Sequence, residues 1–207
     1  MYTPQYFQTQ DWRKVKTLII ENPFATLVST HEHKLVATHL PLELEEKGEK
    51  AYLAGHIARA NPQWRSWAEN PQEILVIIQG AHTYISSSWY DHENVSTWNY
   101  MAAHLYGSLK IIEGEALLKK LEQLTERYEQ GRENPRLVAN MSPNYLKNQL
   151  RALVGFEIEI THWEASFKLS QNRDDKNYHQ IIEKLQQEPH PDSQRIAEAM
   201  QQIRPQE

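Results

Sequence analysis

The chain has 207 residues, 40% hydrophobic and 24% charged, a balance that excludes both a disordered tail and a membrane-embedded bundle. Its formal net charge of −5 argues against wholesale electrostatic capture of nucleic acid, which calls for a basic face, and the absence of cysteine rules out thiol chemistry. The longest apolar run, Ile74 to Ile78, is too short to cross a bilayer, and Met1 to Gln5 lack the pattern of a secretory signal, so a cytoplasmic protein without membrane contact is expected.

Asp11 can cap a first helix that runs to about Ile20 and stops at Asn22-Pro23, because proline disfavours helix in the residue before it. Arg13-Lys14-Val15-Lys16 on that helix reads as a solvated face. Phe24 to Ser29 and Lys34 to Leu44 predict strands about a polar turn at Thr30 to His33, and Ala51 to His56 predicts a third. Asn61-Pro62 opens a short helix carrying Trp64 and Trp67. Ile74 to Gln79 reads as a buried strand that pairs with His82 to Ser87 across a turn at Gly80-Ala81. His104 to Ile112 is a further strand, and Leu117, Leu121, Leu124 and Tyr128 recur at helical spacing. Val154, Phe156, Ile158 and Ile160 alternate with polar residues and glycine as a half-buried strand should; from about Asp174 to Ile203 the tail predicts two helices broken at Pro189-His190-Pro191. Short, antiparallel-looking strands with peripheral helices predict a mainly β (α+β) barrel rather than a doubly wound sheet, and no glycine-rich phosphate loop is present.

Two segments, Gly55 to Trp64 and Phe167 to Arg173, place cationic and amide side chains at strand ends. Between them, Tyr84 to Tyr90 and Ser96 to Tyr100 cluster flat rings separated by hydroxyls and an amide, which suits a planar ligand carrying a phosphate. His31-Glu32-His33 has the look of a metal fragment, but it occupies a predicted hairpin turn with no third or fourth ligand nearby, so no metal is expected. Ser86-Ser87-Ser88 lacks the framing of a nucleophile elbow, and no residue stands out as a catalytic acid or base.

These motifs resemble the PaiB-like family of FMN-binding negative transcriptional regulators, relatives of pyridoxamine-phosphate oxidase. The likeness runs from Met1-Tyr2-Thr3-Pro4 through Asn22 to Ser29, His39-Leu40-Pro41-Leu42, Gly55 to Trp64 and Tyr84 to Tyr90, to Gly155-Phe156-Glu157-Ile158 and Lys168 to Arg173. It implies a six-stranded FMN-binding split barrel, here over residues 1–173, a homodimer with the flavin where the subunits meet, and repression of transcription, with direct contact to operator DNA an open question. The helical extension over 174–207, packed on the same domain, could dock on DNA or on another protein, or only cover a barrel edge. The family usually has proline where this chain has Ser87 and Ser96, glycine-proline at Gly80-Ala81, and proline-tryptophan at Pro135-Arg136. Proline fixes φ, so its loss beside the aromatic cluster is expected to loosen one wall of the pocket.

FMN demands charge-assisted donors for its phosphate and a flat slot with a few amides for its ring. Under the resemblance Arg59 is the first choice for the phosphate, with Asn61, His56 and His39 as further donors, each of which has an ordinary structural reading as well. Lys168, Gln171 and Asn172 follow a strand whose counterpart supplies a basic residue to the cofactor, and Lys168 suits the electron-rich edge of the ring, where a cation raises the reduction potential. Trp89 fits either ring stacking or a dimer seam; Ser86, Thr97 and Asn99 are polar contacts, and Thr26 a weaker one. A flavin-dependent oxidoreductase acting on a small substrate is the alternative, and a haem-binding split barrel a more distant one, given ten histidines.

Overall fold

The computed structural model describes residues 1–69 and 72–204; the last three residues of the expected C-terminal extension lie outside the described residues. Helix α1 (Trp12–Glu21) starts where the Asp11 carboxylate accepts from the Arg13 amide. Strands β1 (Phe24–His31) and β2 (Lys34–Pro41) form a hairpin closed by Glu32 and His33, whose φ angles of 48° and 59° give the turn the twist that antiparallel strands require. Then follow β3 (Glu43–Lys47), β4 (Lys50–Ala58), α2 (Gln63–Glu69), β5 (Glu73–Ile85), β6 (Thr97–Ile112), α3 (Gly114–Glu129), α4 (Pro143–Arg151), β7 (Leu153–Lys168), α5 (Asp175–Gln187) and α6 (Pro191–Ile203). The strands make one sheet in the order β2-β1-β5-β6-β7-β4-β3.

Seven strands stand where six were expected. The run Lys34 to Leu44 divides at Leu42, which is buried and whose amide leaves the ladder to bond the Pro23 carbonyl at 2.8 Å. The expected turn at Gly80-Ala81 is also corrected: β5 passes straight through it. A Cβ at Gly80 would lie 2.5 Å from Leu18 Cδ1 and 3.3 Å from the Met101 carbonyl oxygen, so this glycine serves close packing rather than a reversal. Helix α4 has no counterpart among the predicted elements; it is amphipathic, with Leu146 and Leu150 one turn apart, but it is short and buries no side chain completely.

The chain divides into two compact units. The first comprises Met1–Asn22, Ile78–His104 and the residues from Glu164 onward. Its core is built by α5 and α6, whose Tyr178, Ile181, Ile182, Leu185, Ile196 and Met200 are buried together with Ile85 and Leu169. The second comprises Pro23–Ile77 and Leu105–Trp163. There Trp67 meets Phe156 edge-on at 5.3 Å, and the wholly buried Gln63 amide is satisfied by donating to Ser29 Oγ at 2.7 Å and accepting from Thr38 Oγ1 at 2.6 Å. At Gly107 a Cβ would fall 2.1 Å from the Glu159 carbonyl oxygen.

Candidate functional site

Seven of the expected site residues lie in the first unit. The end of β7 delivers Lys168, whose ammonium donates to Thr97 Oγ1 at 2.5 Å and lies 5.9 Å from the centre of the Phe7 ring. Burial, and then the nearby Arg173 guanidinium, push the Lys168 pKa down. No carboxylate among the described residues pairs with it. Arg173 sits over the Tyr90 ring at 5.1 Å and is the functional candidate that sequence reasoning passed over, although it closes the motif that begins at Phe167.

Asn99, on β6, is fully buried; its amide donates to Ser170 Oγ at 3.0 Å and that hydroxyl returns a bond to Asn99 Oδ1 at 3.1 Å. Gln171 folds back on its own turn, donating to the Phe167 carbonyl and accepting from the Leu169 amide, while Asn172 is exposed. Ser86 caps a short 3-10 turn by accepting from the Ser88 amide, and Trp89 packs against the cluster under α5 and α6. The Ser87 amide donates to Ser96 Oγ at 3.0 Å, a bond that proline at 87 could not make. The two serines therefore close by hydrogen bonding the loop that proline is expected to stiffen. Within this stretch the Tyr90 hydroxyl and Asn94 Nδ2 are buried without a hydrogen-bond partner among the described residues.

The other five lie in the second unit. Thr26 and His39 face each other in the β1–β2 register and share a hydrogen bond of 2.9 Å between Oγ1 and Nδ1. Asn61 donates to Thr38 Oγ1 at 3.0 Å and accepts from the Gln63 amide, the use expected of a residue that opens a helix. His56 is partly buried with its pKa lowered by desolvation, which leaves the imidazole neutral at pH 7. Arg59 donates to the carbonyls of Arg151 and Leu153, at 2.9 and 3.1 Å, and meets Glu113 at 3.4 Å. The structure thus joins Thr26 with His39, and Thr97 with Lys168, whereas Arg59 commits its guanidinium to the chain entering β7.

Residues 1–162 match the family model described as "Putative FMN-binding domain". The chain belongs to that family. Protease synthase and sporulation protein PAI 2 of Bacillus subtilis is 43% identical over 201 residues, 97% of each chain, which makes this a PaiB-like member. Among solved structures, the FAD and haem binding protein from Mycobacterium smegmatis superposes with a TM-score of 0.58 at 20% identity, covering 83% of this chain and 78% of that one. The flavocytochrome Anf3 from Azotobacter vinelandii also gives 0.58, at 16% identity over 86% and 78% of the two chains. At such identities the likeness shows the fold alone, and that fold is the α+β split barrel. FMN is the cofactor of this family.

The first unit fits such a group chemically. Among the described residues Lys168 is a part-buried cation with no carboxylate partner, and Tyr90 and Asn94 hold buried polar atoms without a hydrogen-bond partner. An electron-rich ring edge or a phosphate oxygen is the kind of atom that would pair with the Lys168 ammonium.

Proposed function

We propose that the protein binds FMN with Lys168 at an electron-rich atom of the cofactor and acts, as a cytoplasmic homodimer, as a negative regulator of transcription that contacts operator DNA. The observation that carries the cofactor reading is the Lys168 ammonium, held at Thr97 with no carboxylate partner among the described residues. Bound flavin supplies electron transfer. The chain's part is to hold and tune: Lys168 and Arg173 supply positive charge, Tyr90, Asn94, Thr97 and Asn172 supply polar atoms, and the Asn99–Ser170 pair, Gln171, Ser86 and Trp89 fix the backbone that presents them. In the second unit the neutral His56 imidazole is the proposed partner for a cofactor oxygen, while Thr26, His39, Asn61 and Arg59 are proposed to position backbone. The homodimer is supported by exposed apolar residues on the β1–β2 pair, where Phe24 is 70% and Leu35 80% exposed. The regulatory role rests on kinship with the PaiB-like members.

The test is a visible spectrum of the purified protein after addition of FMN and desalting, with native mass from the same sample. A flavin band at twice the chain mass is expected. Lys168→Met should weaken FMN binding by about 1–3 kcal/mol, the worth of a charge-assisted hydrogen bond, and lower the potential of the bound flavin. Unchanged affinity and potential would remove Lys168 from the site.

A further inference from the structure

Strands β6 and β7 are neighbours in the sheet and consecutive in the chain, yet the segment between Ile112 and Leu153 carries two whole helices. Closing the sheet does not call for such an insertion, since most connections run to a handful of residues. Its second helix, α4, is amphipathic in an unusual sense. Leu146 and Leu150 are half-buried, whereas Asn144, Tyr145, Lys147, Asn148, Gln149 and Arg151 are all exposed, Tyr145 to 52%. No carboxylate occurs between Asn134 and Ala152, in a chain whose net charge is −5.

Asn144, Lys147, Asn148 and Arg151 recur at i, i+3, i+4 and i+7 and so form one stripe. Among the described residues no ion pair engages Lys147 or Arg151. The one acid beside them, Glu113, is paired with Arg59, which with Lys147 and Arg151 lines a cleft of about 410 Å3 at the start of α3.

We propose that the exposed face of α4 docks in the major groove of duplex DNA. This rests on the regulatory reading above and says where the contact lies. A nine-residue helix is about 13 Å long, and an α-helix with side chains, about 10–12 Å across, matches a groove about 12 Å wide. The side chains are of the right chemistry: Arg and Lys pair with phosphate and with guanine O6 and N7, and Asn pairs with adenine N6 and N7. Helices α5 and α6 are poor rivals, since both commit a full apolar face to the first unit's core.

The experiment is fluorescence anisotropy of the full chain on a labelled duplex, selected from a randomised library by the wild-type protein, across a salt series. Lys147→Gln with Arg151→Gln should weaken binding at low salt about tenfold or more and flatten the slope of log K against log salt by about two, near 0.9 for each phosphate that is no longer neutralised. Asn144→Ala with Asn148→Ala should leave the slope in place and reduce the preference for the selected sequence. Lys184→Gln, on an exposed position of α5, is the control and should change nothing. Duplex binding that is normal in the α4 variants overturns the assignment to α4 and leaves the regulatory reading standing. A wild-type protein that binds no duplex at low salt, or prefers single-stranded RNA, overturns both; retained FMN, measured in parallel, is untouched by either result.

Discussion

In the first unit, α5 and α6 bring seven buried apolar side chains, Tyr178, Ile181, Ile182, Leu185, Ile196, Ala197 and Met200, against the strands; in the second, α3 and α4 together bring one, Leu117. What α3 lacks in apolar area it replaces with charge. Lys120 reaches Glu45 and lies 3.1 Å from Glu157, Lys47 meets Glu157 at 2.7 Å, and Arg127 pairs with Glu43. These are different kinds of attachment. A buried Leu or Ile contributes about 1.5–3 kcal/mol, whereas ion pairs such as these, half-buried and open to solvent on one side, contribute about 1 kcal/mol each and weaken in salt. Helices α5 and α6 are therefore part of the first unit's core and α2 part of the second's, through Trp67, whereas α3 and α4 are a layer held more lightly.

The largest test of that contrast removes the same atoms from each layer. Leu185→Ala, at a fully buried position, should cost about 3 kcal/mol in denaturant unfolding, while Leu150→Ala on α4, where the side chain is only half-buried, should cost about 1 kcal/mol or less. Equal costs would break the comparison.

Next comes the charge network. Burial acts to raise the Glu157 pKa, but hydrogen bonds from Lys47 and Lys120 outweigh it and hold the carboxyl below its ordinary value of 4.5. A carboxyl depressed in the folded state stabilises above the unfolded value, and that gain is lost as pH falls from there through the folded one. Glu157→Gln should cost about 1 kcal/mol at pH 7 and flatten the pH dependence of stability below about 4.5. An unaltered acid limb of the stability curve would show that the network carries no weight.

The smallest effect belongs to His56. Its folded pKa is lowered by burial, so as pH falls below about 6.5 the unfolded chain takes up the proton first and stability declines toward the folded value. His56→Gln should remove that slope, and a slope that survives the substitution would place its origin elsewhere.

Strands with a period of two are legible in the sequence: Val154, Phe156 and Ile158 are buried whereas Glu157 and Glu159 are not, Gly155 being covered by Leu117 and Ile112. So is the α1 cap at Asp11, because capping is a local property. Gly80 misleads because glycine marks both turns and close approaches, and only the tertiary neighbours Leu18 and Met101 decide between them. Helix α4 escapes notice because its apolar stripe is short, Leu146 and Leu150 at i and i+4, and lies among polar residues that read equally well as a loop. Of the site, the residue types are legible but their partners are not. Lys168 and Thr97 each stand out on separate grounds, and their meeting is a consequence of strand register over a long sequence separation. Arg59 illustrates the converse: an arginine after a strand suits phosphate, but the nearest acceptors are backbone carbonyls brought in by the entry to β7.

Arg204, just past α6, donates to the carbonyls of Gln171 and Arg173 and to the Asp175 carboxylate, and its guanidinium stacks 4.5 Å above the Tyr178 ring, whose hydroxyl donates to the Met200 carbonyl. One side chain thereby ties the last turn of α6 to the turn that follows Lys168. In hydrogen exchange the amides of residues 171–178 and those at the end of α6 are therefore expected to open together, and a perturbation at either place to be felt at the other without any change in the contacts of Lys168 itself.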